Sequence, residues 1–95
     1  VPRQYALFAN FPNPFNPSTS IEYALPEAAE VELVIYDVLG QTVQTLVANE
    51  LKLAGYYHLT WDGRDQDGHS VSSGMYFYRL ATQDFEQTRK MILLK

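Results

Sequence analysis

Between Trp61 and Leu80 the chain reads W-D-G-R-D-Q-D-G-H-S-V-S-S-G-M-Y-F-Y-R-L, two aromatic alternating segments joined by a loop with three Asp and three of the five Gly. Before the loop, Tyr57, Leu59 and Trp61 share one face of a period-2 segment, and after it Tyr76, Tyr78 and Leu80 share one face of another. Alternation of this kind belongs to strands, so these six side chains are the expected core nucleus. Asp-Gly at 62–63, Asp-Gly at 67–68 and Ser-Gly at 73–74 supply the left-handed backbone and the side-chain-to-backbone bonds that reverse a chain.

Ninety-five residues make a single domain, 1–95, with one core that buries roughly 60–70% of the unfolded chain's surface. A hydrophobic fraction of 46%, with seven Tyr, five Phe and one Trp, fills such a core, and 19% charged residues argue against disorder. The net charge is −4 and the seven Lys and Arg are scattered, so no basic patch neutralises phosphates and nucleic acid is not an expected partner. Without Cys there is no disulfide framework, thiolate metal site or Cys nucleophile, a composition that accords with an extracellular life. Near the C-terminus the apolar run Met91 to Leu94 falls far short of the ~20 residues that span a bilayer, so membrane insertion is not expected. The chain starts at Val1 with neither an initiator Met nor a signal peptide, which leads us to expect a module cut from a larger secreted protein.

Taken in order, Tyr5 to Ala9 alternates weakly, as a short edge strand does. Pro12, Pro14 and Pro17 then fix φ, remove donors and restrict Phe11, Asn13 and Asn16, giving a stiff extended arm expected to lie against the domain and cross between sheets. The same segment also has the composition of a Pro-rich docking ligand, a weaker fit because such ligands are usually solvated. Ile21, Tyr23 and Leu25 make a half-buried strand stopped by Pro26. Val31, Leu33 and Ile35 face one way and Glu32, Val34 and Tyr36 the other, the pattern of a central strand. Asp37 and Gly40 sit at the first and last positions of a type I turn leading into Thr42–Val47 as a hairpin partner. Residues 48–53 read as loop or helical turn. The last strand, Phe85 to Leu94, sets Thr88, Lys90, Ile92 and Leu94 against Arg89, Met91 and Leu93, with the former set expected to supply the apolar face. About seven short strands separated by turns indicate an all-β, immunoglobulin-like antiparallel β-sandwich.

Chemistry is sparse. Asp62, Asp65 and Asp67 ahead of Gly68 resemble the carboxylate spacing of a calcium loop, because a hard cation needs several oxygens gathered by a Gly-permitted turn. Aligned on a helix-loop-helix calcium site, however, the first ligand falls on Gly63 and the closing bidentate residue on Gly74. A looser calcium site and plain Asp-Gly turns both remain open. His58 and His69 are too isolated for zinc, and no Ser lies in a nucleophile motif, so an enzyme is not expected. Trp61 and the Tyr residues would serve as a carbohydrate-stacking platform or, more in keeping with their alternation, as core.

Four segments in this order resemble the type A C-terminal sorting domains of the type IX secretion system. They are F-P-N-P-F-N-P-S-T-S-I-E-Y-A-L-P at 11–26, V-E-L-V-I-Y-D-V-L-G-Q-T-V at 31–43, A-G-Y-Y-H-L-T-W-D-G at 54–63 and S-G-M-Y-F-Y-R-L at 73–80, with the ending T-R-K-M-I-L-L-K similar too. The resemblance implies a non-catalytic domain that ends its polypeptide and is read, after passage through the periplasm, by an outer-membrane secretion machinery. The appended protein is then released or attached at the cell surface. The resemblance further implies that Arg89, Lys90 and Lys95 are presented to that machinery while leaving the core undisturbed. Cell-surface polysaccharide is a second expected contact, and a monomer the expected state. A similar pattern marks the immunoglobulin-like domain of flagellar hook-capping proteins, so a structural or carbohydrate-binding accessory module stays open as the alternative.

Overall fold

The computed structural model describes every residue from Val1 to Lys95. Alternating residues set its layers. The strands are β1 (Ala6–Leu7), β2 (Thr19–Leu25), β3 (Ala29–Tyr36), β4 (Thr42–Lys52), β5 (Gly55–Trp61), β6 (Gly74–Ala81) and β7 (Glu86–Leu93). In β2 the odd positions Thr19 to Leu25 are buried while Ser20 and Glu22 face solvent. In β3 Val31, Leu33 and Ile35 are fully buried, and in β6 Tyr76, Tyr78 and Leu80 point the same way. Each strand thus has one apolar face, and two sheets bury those faces against each other. One sheet has the order β1-β2-β5 and the other β4-β3-β6-β7, all pairs antiparallel. The fold is an all-β, immunoglobulin-like sandwich, with β3 central as its pattern requires.

The core nucleus is partly shifted from the sequence expectation. Trp61, Tyr76, Tyr78 and Leu80 are buried, but Tyr57 and Leu59 are only half-buried because β5 is an edge strand with no neighbour beyond it. Their places are taken by Ile21, Tyr23 and Leu25 of β2 and by Met91 and Leu93 of β7.

Two strands depart from the reading of their residues. Residues 48–52 are not loop but the continuation of β4, pairing Glu50 with Val31 and Lys52 with Ala29. Register shifts along this pair, and Asn49 at φ 50°, break the period of two that would have marked the strand. In β7 the buried residues are Met91 and Leu93, whereas Ile92 and Leu94 are exposed. Register decides this: Met91 lies opposite Tyr76, and opposed residues of a pair share a face.

The Pro-rich arm is not the extended segment its prolines predict but a run of bends, with cis bonds before Pro12, Pro14 and Pro17; it does cross between the sheets, bridging Ser20 of β2 through Phe11 and Leu93 of β7 through Phe15. Asn10 and Thr19 are buried under it; Asn10 Nδ2 donates to Thr19 Oγ1 at 3.0 Å, and that hydroxyl donates to Pro12 O at 2.8 Å. At the far side Phe15 N donates to Ile92 O at 3.0 Å, Leu94 N donates to Phe15 O at 2.9 Å, and Ile92 N donates to Asn13 Oδ1 at 3.0 Å. Phe15 enters the core beside Trp61, whereas Phe11 stays 79% exposed and contributes only its backbone bridge to Ser20. Burying a Phe side chain of this kind stabilises by roughly 1.5–3 kcal/mol, which fixes the arm to β7.

Candidate functional site

The aromatic stretch anchors the 62–73 loop. Trp61 packs edge-on to Tyr76 with centroids 5.4 Å apart and lies 5.7 Å from Phe15, and its indole N–H donates to Arg64 O at 3.0 Å. From there the loop turns on Asp65. Its Oδ1 accepts the backbone N–H of Asp67 at 2.9 Å and of His69 at 3.0 Å, while Gly68 at φ +84° completes the reversal. Asp62 is drawn to Arg64 at 3.6 Å, an exposed pair worth little energetically. The ligand atoms that do converge, within 4.8 Å of one another, are those of Asp65, Asp67 and His69. Asp62 lies outside that group, and an imidazole nitrogen suits a hard, oxygen-seeking cation poorly. The turn chemistry of Asp65 accounts for the loop. His69 was not visible as a member because backbone reversal, not linear spacing, brings it in.

The three basic candidates do not form one patch. Arg89 shares the inward side of β7 with Met91, is half-buried, and its Nε donates to Leu7 O of β1 at 2.5 Å. Nearby, the buried Tyr78 hydroxyl donates to Phe8 O at 2.7 Å. Burial raises the Tyr78 pKa, an effect tempered by the Asn10 backbone and by the positive charge of Arg89. Tyr78 of β6 and Arg89 of β7 therefore clamp the edge of one sheet to the other, and Arg89 does not stand clear of the fold as the resemblance had implied. Lys90 lies on the opposite, solvent face beside Phe77. Lys95 is exposed, with its backbone N–H on Ser73 Oγ at 3.0 Å.

A cleft of about 470 Å³ opens at one end of the sandwich between the 37–41 turn and the 71–76 segment. The turn is built as its composition requires: Gly40 N donates to Asp37 O at 3.0 Å, and Asp37 Oδ1 accepts from Leu39 and Gln41 N–H, each at 2.9 Å. It holds Val38 and Leu39 out at 65% and 81% exposure on the cleft rim, above Val43, Val71 and Met75. The charged side chains lining it are Asp37 and Asp65, so it presents apolar surface with an acidic margin. Alternation identified the strand before this turn but carried no signal that the turn's own apolar residues stay outside the core.

The fold recurs in larger proteins. The chain is similar to a segment of dimeric latent PorU from Porphyromonas gingivalis, with 22% identity and a TM-score of 0.73 over 90% of this chain and 9% of that one. It is similar to a segment of PorZ, described as an essential surface component of the type-IX secretion system of P. gingivalis, with 18% identity and a TM-score of 0.63 over 96% of this chain and 11% of that one. FlgD from P. aeruginosa superimposes with a TM-score of 0.60 at 23% identity, over 81% of this chain and 64% of that one. At these identities the likeness is one of fold, and the chain spans about a tenth of PorU and of PorZ. No curated protein matches the sequence. A family match covers residues 16–84, from the end of the arm through the β6–β7 turn, and on that match the chain belongs to the FlgD Ig-like domain family.

Proposed function

We propose that this domain is a non-catalytic C-terminal sorting module, which directs an appended protein through the type IX route to the medium or the outer cell surface. The observation that carries the reading is where the sorting-domain motifs fall. Residues 11–26 form the arm and β2, 31–43 the central strand and its turn, 54–63 and 73–80 the aromatic strands around the loop. The fold likeness to segments of PorU and of PorZ, itself described as a surface component of that system, supports it. The partner is an outer-membrane secretion machinery, with surface polysaccharide as the attachment contact. Within this reading Lys90 and Lys95 are the exposed cations available to the machinery, and Arg89 acts through the clamp that keeps β7 in place. Calcium in the 62–69 loop has no part in it.

The test is a reporter carrying residues 1–95 at its C-terminus in a type IX competent host. Export to the surface or medium is the expected result, and periplasmic retention of a folded fusion overturns the reading. Replacing Lys90 and Lys95 together by Ala should keep the fold and slow export. Membership of the FlgD Ig-like family favours one other reading, a structural module of a surface assembly. Such a module functions at an internal position as well as at the end, so moving the segment inside the reporter separates the two.

A further inference from the structure

β7 is an edge strand that the arm covers along part of its length only. Ile92 turns both its N–H and its C=O to the arm, and outward-facing residues alternate in an antiparallel pair, so Thr88 and Lys90 also turn their N–H groups away from β6. Neither is hydrogen-bonded outside the ladder. Beside them a cleft of about 530 Å³ opens between β7 and the arm, its lining including Asn13, Phe77, Thr88, Arg89 and Lys90.

This cleft is cationic in a chain that is not. Two positive side chains line it, Arg89 and Lys90, and no carboxylate does, although the net charge is −4. A partly buried charge is normally paired. Lys52 and Arg79, likewise half-buried, meet Glu50 and Glu86, but Arg89 has no carboxylate partner. Only its Nε–H is used, on Leu7 O, so both Nη groups of the guanidinium keep their donors free. Asn13 is fixed in orientation too: its Oδ1 accepts from Ile92 N, which leaves Nδ2 as a donor without an acceptor. The nearby carbonyls of Leu7 and Phe8 are already taken, by Arg89 and by the Tyr78 hydroxyl.

We infer that this cleft binds an oxyanion, the carboxylate of an acid or the phosphate of a phosphate ester, carried on a small organic body. A guanidinium fork, an ammonium and neutral N–H donors line it from two sides, β7 and the arm, and a guanidinium matches the paired oxygens of such a group. A cleft lined by one sign of charge focuses its field on a ligand of the other sign. Half-buried Phe77 on the wall, and a volume in the range of small-molecule sites, leave room for the body that bears the anion. Such a site needs no export machinery, so its ligand can be sought on the isolated chain.

Titration of the isotope-labelled 95-residue chain with glucuronate and with glycerol phosphate, at an ionic strength held constant by sodium chloride, tests it. The expected result is saturable movement of the Thr88 and Lys90 N–H, Arg89 Nε–H and Asn13 Nδ2 signals with a Kd of about 1 mM, and none with glucose or glycerol. Binding of glucuronate alone identifies a carboxylate, of glycerol phosphate alone a phosphate ester, and of both an oxyanion of either kind; each result bears the site out. Asn13→Asp keeps the acceptor for Ile92 N–H but replaces the amide donor by a carboxylate oxygen, and should abolish saturation. Lys90→Ala should weaken binding roughly two- to fivefold. Lys90→Glu, at an exposed position, should abolish it while thermal melts stay parental. No saturation by either anion up to about 50 mM overturns the inference, as do movements that sodium chloride alone reproduces, or a Lys90→Glu variant that binds as the parent does. If Asn13→Asp loosens the arm, the Lys90 variants alone decide.

Discussion

Trp61 shows how one side chain joins the parts of this fold. It is 1% exposed, contacts the arm through Phe15 and β6 through Tyr76, and fixes the loop through Arg64 O. Trp61→Ala should therefore cost about 3–5 kcal/mol, read as a shift in the denaturation midpoint. Blue-shifted native emission that iodide does not quench is the matching spectroscopic expectation. Gly63 gives a sharper contrast. At φ +76° an added Cβ would lie 3.1 Å from Pro17 O, whereas at Gly40, φ +81°, it would meet nothing within 4 Å. Both substitutions to Ala carry the backbone strain of roughly 1 kcal/mol, but only Gly63→Ala also presses the arm away, so it should be the more destabilising of the two in parallel melts. The pKa of Tyr23 is pushed up to about 12, chiefly by burial, then by Tyr57 and Glu50. Its phenol loses a proton near pH 10 in the unfolded chain but not until about 12 in the fold. This contribution is complete below pH 10 and should fall by about 1.4 kcal/mol per pH unit between pH 10 and about 12, where the loss ends. Tyr23→Phe should flatten that alkaline decline in denaturant titrations.

At the scale of elements, β2, β3 and β6 were legible because each is buried on one face, so a period of two records its environment directly. β4 was half legible, since its bulges shift the phase and leave A-N-E-L-K looking helical. The β7 strand was legible as a strand but not in its orientation: apolar residues occupy both faces near the end, and only the partner strand selects Met91 and Leu93. For the candidate site, Asp65 and Asp67 were visible as turn formers, while His69 and the exposed Val38 and Leu39 depend on how loops from distant segments meet. The role of Arg89 was hidden for the same reason, because its acceptor lies 82 residues away. It follows that Arg89→Ala and Lys90→Ala, adjacent in sequence, should differ. Losing the Leu7 contact should cost roughly 0.5–3 kcal/mol, while the Lys90 change stays within about 0.5 kcal/mol, as thermal melts of the single variants would report.

The whole molecule is an elongated sandwich with extents of 37 × 22 × 20 Å, closed along one side where the arm and β7 meet. Phe15 and Leu93 form a parallel bridge there, although every named strand pair is antiparallel. Direction matters once tension is applied. Pulling Val1 and Lys95 apart slides two parallel segments past each other, so the Phe15 bonds to Ile92 and Leu94 are loaded together. Pulling between Gly74 and Lys95 peels β7 from β6 instead, because Gly74 lies opposite Leu93 and the ladder opens one rung at a time. Forced unfolding is governed by the barrier to the first rupture, so the end-to-end geometry should give the higher rupture force in single-molecule extension, and equal forces would deny the arm a mechanical role. A domain tethered at one end and drawn at the other would thus meet tension along its most resistant axis.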